Sequence, residues 1–238
     1  SILRDAFEFR LGSDYPVREY CVQYAESDLA FIQRLCAEVG IHYHFQHSPE
    51  GHLLVFGDDQ TAFLKHDVTT RYVQGNGLVA DAPVIDQFTV RLEPRSNLVE
   101  RRDYHFEKPA VQLDAKVSAA RVPLLEDYEF PGQFTHRERG KHLSQRALER
   151  HGADYRLANG RSNQALMRGG SFMTMADYSR ADCNDLWLLT EVEHIGKQPQ
   201  VLEEAFTEQA DADGFSQGYR NHFVATPWDV VFRPQLRH

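Results

Sequence analysis

Cysteine is scarce in this chain of 238 residues: Cys21, Cys36 and Cys183 are odd in number and far apart. No C-x-x-C occurs, which excludes structural zinc and thioredoxin-like readings and points to a reducing compartment of origin. No apolar run approaches the ~20 residues of a transmembrane helix, and no signal peptide is visible, so no stable membrane insertion is expected. Positive charge is also in deficit. With 26 Lys and Arg against 35 Asp and Glu, the formal net charge is -9, the wrong sign for a partner held through phosphates. The one basic run, Arg137, Arg139, Lys141, Arg146 and Arg150, is diluted by Glu138 and Glu149 and reads as a solvated helix face rather than a nucleic-acid patch. No internal repeat of short period is visible. The opening SILRDAFEF lacks an initiator Met, which suggests a piece of something longer.

What is present is ordinary folded-protein composition, long enough for one large domain or two smaller ones. In YPVREYCVQY, Tyr20, Val22 and Tyr24 alternate with Glu19, Cys21 and Gln23, a half-buried strand pattern. Ser27 then suits an N-cap and Gly40 a C′ residue. Between them Leu29, Phe31, Ile32, Leu35, Cys36 and Val39 fall in one arc of about 160°, a stripe that must dock on something. IHYHFQH and HLLVF, joined by SPEG, read as a β-hairpin. Residues 58–83 are mixed and loop-rich. From 84 onward the texture is β: strands are expected over 86–93, 98–106, 111–117, 171–177, 186–195 and 218–225, a small barrel or sandwich. THRERGKHLSQRALERHG interrupts it with a helix predicted to open on the T-x-x-E capping box of Thr135 and Glu138 and to stop at Gly152. The acidic run 203–218 reads as an exposed loop.

Each chemical candidate fails on spacing. Pairing 41–47 with 52–56 puts His42 and His44 on one sheet face and His47, opposite His52, on the other. Four imidazoles divided in this way do not converge on one tetrahedral ion. A two-histidine metal site completed by a remote carboxylate is the alternative. Cys36 lies in the apolar stripe, where a thiol behaves as a small hydrophobe, and the sequence identifies no basic partner for Cys21. Gly75 to Ala80, GNGLVA, matches G-x-G-x-x-A, but Pro83 follows at once and would break the helix that a pyrophosphate needs. Around Ser171 the second glycine of G-x-S-x-G is missing, and nothing favours a triad of Ser171 with His194. Glu203 and Glu204 sit in the acidic loop. No catalytic, cofactor or metal residues are therefore expected.

The same segments carry a family resemblance. REYCVQYAESDLAFIQRLCAEVGIHYHFQH with GHLLVFGDD resembles the strand–helix–hairpin block of VgrG proteins, the trimeric spikes of type VI secretion systems. RRDYHFEKPA, GKHLSQRALER, LLTEVEHIG and YRNHFVATPWDVVFRP continue it in order. The resemblance implies an α+β, mainly β fold: a small β-barrel of the phage baseplate hub tube type with an α/β strand–helix–hairpin domain and a small helical insertion. The implied partition is 1–83 for the α/β domain, 84–120 with 166–238 for the second hub barrel, and 121–165 for the insertion. The chain begins where the family's first barrel should be complete and stops before its oligonucleotide-binding-type barrel and β-helical spike. The implied role is structural and non-enzymatic: a homotrimer capping a hexameric tube, with baseplate and effector proteins as partners. It would reside in the bacterial cytoplasm before firing and be secreted or injected afterwards. Outward faces of 86–93 and 186–195 are expected to meet neighbouring protomers. The rival readings are a contractile phage tail hub and a metal-dependent hydrolase built on the His42–His52 hairpin.

Overall fold

Ser27 and Gly40 bracket the first helix. The Ser27 hydroxyl accepts the Ala30 amide, satisfying an orphan donor of the first turn. Gly40, at φ 83°, takes the left-handed cap conformation that disfavours a side chain. A Cβ there would also come within 2.8 Å of Arg146 Cδ. The computed structural model describes residues 6–18, 20–49, 51–74, 82–198, 215 and 217–236. The GNGLVA loop over 75–80, Glu203 and Glu204 lie outside the described residues.

In chain order the elements begin with β1 (Phe7–Arg10), α1 (Asp28–Val39), β2 (His42–Ser48), β3 (Gly51–Gly57), β4 (Leu64–Tyr72) and β5 (Val84–Leu92). They continue with β6 (Leu98–Tyr104), β7 (Gln112–Ser118), β8 (Glu126–Glu129), α2 (Arg137–Ala153) and β9 (Arg156–Ser162). The last are β10 (Ser171–Ala176), β11 (Leu186–Lys197) and β12 (Gly218–Pro227). The chain divides into two units: Ser1–Phe63, Leu92–Arg156 and Asp229–His238 form the first, Leu64–Arg91 and Leu157–Trp228 the second.

The second unit is a closed six-stranded barrel, order β10-β11-β12-β9-β5-β4, completed by parallel pairing of β10 with β4. Closure removes the exposed edges of an open sheet. Side chains from five strands fill the interior: Ile85, Phe88, Met173, Met175, Trp187, Leu189 and Phe223, with Ala158 of β9, belong to one buried cluster. Each large side chain contributes about 1.5–3 kcal/mol. The Trp187 indole N–H donates to the Cys183 carbonyl at 2.9 Å, so its burial leaves no orphan donor. On β9, Gly160 makes room for the tip of the Phe223 ring, whose Cζ an added Cβ would approach to 2.2 Å.

The first unit holds two three-stranded sheets, β1-β3-β2 and β7-β6-β8. α2 packs on β6 and β7 through a cluster of Leu113, Ala115, Phe134 and Leu143, the neighbour its thin apolar face required.

Four expectations are corrected. The domain partition differs: β6 and β7 leave the expected barrel for a sheet with α2, while β4 and β9 enter it. β4 lies in the stretch read as loop, and β9 in the expected insertion; Ala158, Gly160 and Ser162 gave β9 no apolar period. Residues 20–24 form no strand, although their apolar alternation is real, and Tyr20 and Tyr24 are 84% and 85% exposed. The Thr135 capping box does not form; His136 is the N-cap, without a side-chain cap bond. Finally, the α1 stripe is only partly covered. Val39 is buried, Leu29 is 60% exposed, and Ala37, expected on the opposite side, is buried, because α1 docks along α2.

Candidate functional site

The hairpin histidines occupy two faces. In the β2–β3 register His42 faces Gly57, His44 faces Val55 and His47 faces His52. His42 and His44 are buried. His42 stacks on Phe63 with ring centroids 4.2 Å apart, and its Nε2 lies 3.1 Å from the Asp59 carbonyl oxygen. Burial pushes the His42 imidazole down to about 4. Burial, with help from the Arg10 charge, does the same to His44. Both are neutral packing groups at physiological pH. His47 and His52 are exposed on the opposite face. Among the described residues no group of three or more His, Cys, Asp or Glu is arranged around one ion.

Cys36 is half-buried, and burial raises its thiol above the ordinary range, with Arg18 opposing weakly; this disfavours a thiolate. Cys21 is exposed and Cys183 sits in the barrel core. Ser171 is buried, its hydroxyl donating to the Arg168 carbonyl at 2.7 Å. His194 instead bonds the Tyr219 hydroxyl through Nδ1 at 2.5 Å. The two are therefore not brought together.

The basic residues of α2 were expected on a solvated face, and several turn inward instead. Arg139 bonds Glu38 at 3.3 Å and Arg146 bonds Glu149 at 2.8 Å. Arg150 is buried, donating to the carbonyls of Ala37 at 2.9 Å and Pro234 at 3.0 Å. Arg233, 4% exposed, completes this clasp from the closing segment. Its Nε donates to Glu149 Oε2 at 2.7 Å, and its Nη1 to the carbonyls of Gly40, at 2.8 Å, and Asp58. Burial alone would raise the Glu149 carboxyl, but hydrogen bonds from Arg146, Arg233 and Gln145 outweigh it and hold the group below its ordinary range.

A second bracket forms at Asp58. Its carboxylate accepts the Gly12 amide at 2.8 Å, the Ser13 amide at 2.9 Å and the Tyr15 hydroxyl at 2.8 Å. Burial opposes ionisation, yet these donors bring Asp58 down to about 2. Tyr15 is pushed up to about 12 by burial and by donating to Asp58. Sequence reading missed both brackets. Their signals were the DD of GHLLVFGDD and the lone arginine of VVFRP, each indistinguishable from surface charge without a partner.

The first unit leaves large apolar groups in the open. Phe7, Phe9, Phe45, Leu54 and Phe56 line an open groove of about 440 Å³ on one face of the β1-β3-β2 sheet. Val17, Tyr20, Tyr24, Leu29 and Ile32 are exposed along the segment leading into α1, and Val122, Leu124, Tyr128 and Phe130 around β8. On the barrel the outward residues are mixed: Gln87, Thr89 and Arg91 on β5 and Glu191 and Glu193 on β11 are polar, while Leu64 and Val68 on β4 and Leu92 at the end of β5 are exposed. Apolar exposure on this scale marks surfaces made to be covered.

A mainly β chain with a closed six-stranded barrel and an accessory α/β unit is the architecture of tail hubs. A family model described as phage tail baseplate hub (GPD) matches residues 1–200, and the chain belongs to that family. Its relatives include type VI secretion system spike proteins. It is 59% identical over its whole length to VgrG4b and 57% identical to VgrG5, both of Pseudomonas aeruginosa. The chain spans 30% and 31% of the length of those two proteins. Among solved structures it shares the fold of the E. coli c3393 protein, described as a type VI secretion component resembling the T4 bacteriophage tail proteins gp27 and gp5. That match has a TM-score of 0.59 at 20% identity, over 98% of this chain and 46% of the other.

Proposed function

We propose that this chain is the baseplate-hub part of a type VI spike. In this role it trimerises within the complete spike, seats on a hexameric tube, and takes part in puncturing target cells and delivering effectors without catalysis of its own. The observation that carries the reading is the 59% identity to a type VI spike protein over the whole chain. The aromatic surfaces of the first unit support it, since a subunit that works by being packed needs apolar faces rather than a catalytic pocket. The outward faces of 86–93 and 186–195 join these aromatic surfaces as the faces that would meet neighbouring protomers. Location follows the role: cytoplasmic until firing, then exported. The hydrolase reading on the His42–His52 hairpin is disfavoured, since its four histidines divide between two faces of the sheet and no group of three or more metal-binding side chains accompanies either pair among the described residues.

The test is co-sedimentation of the chain with assembled rings of the hexameric tube protein from the same genome. Saturable binding supports the hub role. No binding, together with hydrolytic turnover that scales with bound metal, overturns it.

A further inference from the structure

We propose that His47 and His52 form a surface clamp for a late first-row transition cation, of the Ni²⁺, Cu²⁺ or Zn²⁺ type. The two residues are direct cross-strand partners near the hairpin turn. Their Nδ1 atoms approach to 2.7 Å, with ring centroids 4.7 Å apart and planes at 78°. Both side chains are exposed, so a cation reaches them without opening the core.

At 2.7 Å one ring donates Nδ1–H and the other accepts, so at least one nitrogen lone pair already points at its neighbour. Binding needs both. The donor ring moves its proton from Nδ1 to Nε2, becoming the other neutral tautomer, and both rings turn so that their Nδ1 lone pairs, otherwise aimed at each other, meet at the metal. With metal–nitrogen bonds of about 2.1 Å, the present separation corresponds to an angle of about 80° at the metal. Opening the pair by a few tenths of an ångström reaches the near-90° geometry of tetragonal Cu²⁺ and Ni²⁺. Water completes the remaining coordination positions. Two neutral imidazoles select these cations over Ca²⁺ and Mg²⁺, which require oxygen ligands.

The location gives the clamp a consequence. His52 also lines the aromatic groove with Phe7, Phe9 and Phe45. A bound cation would cross-link β2 to β3 and sit as a fixed charge at the rim of an otherwise apolar surface.

Isothermal titration of the purified chain with nickel chloride alone, in a non-chelating buffer, tests the proposal, with His47→Gln and His52→Gln as variants and His194→Gln as a control. Two imidazoles on one rigid hairpin bind as a chelate, so each hairpin variant is expected to lose roughly 100-fold in affinity. The double variant should lose little more, and His194→Gln should match wild type. Equal affinity across wild type and the hairpin variants overturns the proposal. In case a variant folds poorly, hydrogen exchange of the wild-type hairpin amides is measured with and without nickel. Slowed exchange confined to β2 and β3 supports the clamp, and unchanged exchange at saturating nickel overturns it.

Discussion

Replacing Arg233 by methionine keeps most of the side-chain volume and removes the hydrogen bonds that Arg233 contributes to the clasp. Arg233 is almost wholly buried, and the change takes a donor from three acceptors: Glu149 Oε2 and the carbonyls of Gly40 and Asp58. Glu149 keeps Arg146 at 2.8 Å and Gln145 at 3.0 Å, so its charge is not left wholly alone. Breaking one side of a buried ion pair costs about 3–5 kcal/mol, and unsatisfied carbonyls add to the same end of that range. At about 2–4 °C per kcal/mol for a chain of this size, the midpoint of thermal unfolding should fall by about 6–20 °C. The matched control is Arg180→Met, which breaks an exposed pair with Asp182 at 2.7 Å and should leave the melt close to that of the wild type, since solvent screens such pairs. Both are read by circular dichroism melts at pH 7. A loss for R233M no larger than that for R180M would refute the claim that Arg233 fastens the closing segment to α1, α2 and β3.

Three further outcomes follow from the same geometry. Asp58→Asn puts an amide donor among three donors and should cost about 2–3 kcal/mol at pH 7. Because the folded Asp58 lies at about 2, its contribution is present above the unfolded value near 3.9 and is lost as pH falls toward 2, so wild type and D58N should converge in acid-melt series. His42 has the opposite origin with the same sense: its folded value is about 4 against 6.5 unfolded. Between those values the unfolded chain binds the extra proton, so stability should drop by about 3 kcal/mol from pH 6.5 to 4, and urea titrations of His42→Phe should show a shallower slope there. Gly160→Ala drives a methyl into the Phe223 ring and should cost about 1–3 kcal/mol, measured by urea midpoint, whereas Gly196→Ala, with open space around it, should not.

Local chemistry was the legible part of this sequence. Ser27 and Gly40 act on their own neighbours, so α1 appears within a residue of its expected limits. The hairpin register follows from the four-residue turn, which sets His47 opposite His52. β5, β6, β7, β10, β11 and β12 announce themselves because one face is buried and the other wet. Which sheet each strand joins is a non-local matter, and there the reading failed. β9 buries Ala158 and Ser162 and carries Gly160 beneath Phe223, leaving no apolar period to see. The α2 arginines have the composition of a solvated face, and only the return of residues 229–236 turns Arg150 into a buried donor. Tyr20, Val22 and Tyr24 mislead for the reverse reason: their alternation is strand-like, yet they pair with no strand and stay exposed.

The account rests on this chain being an interchangeable hub part, and a transplant measures that directly. The matching region of VgrG4b of P. aeruginosa is replaced by this chain, and secretion of the chimera is followed in a strain lacking the native protein. The account predicts a chimera that assembles as a trimer and appears in the medium in a type VI-dependent manner. A chimera that folds, as judged by a cooperative melt, yet stays monomeric and inside the cell would contradict it.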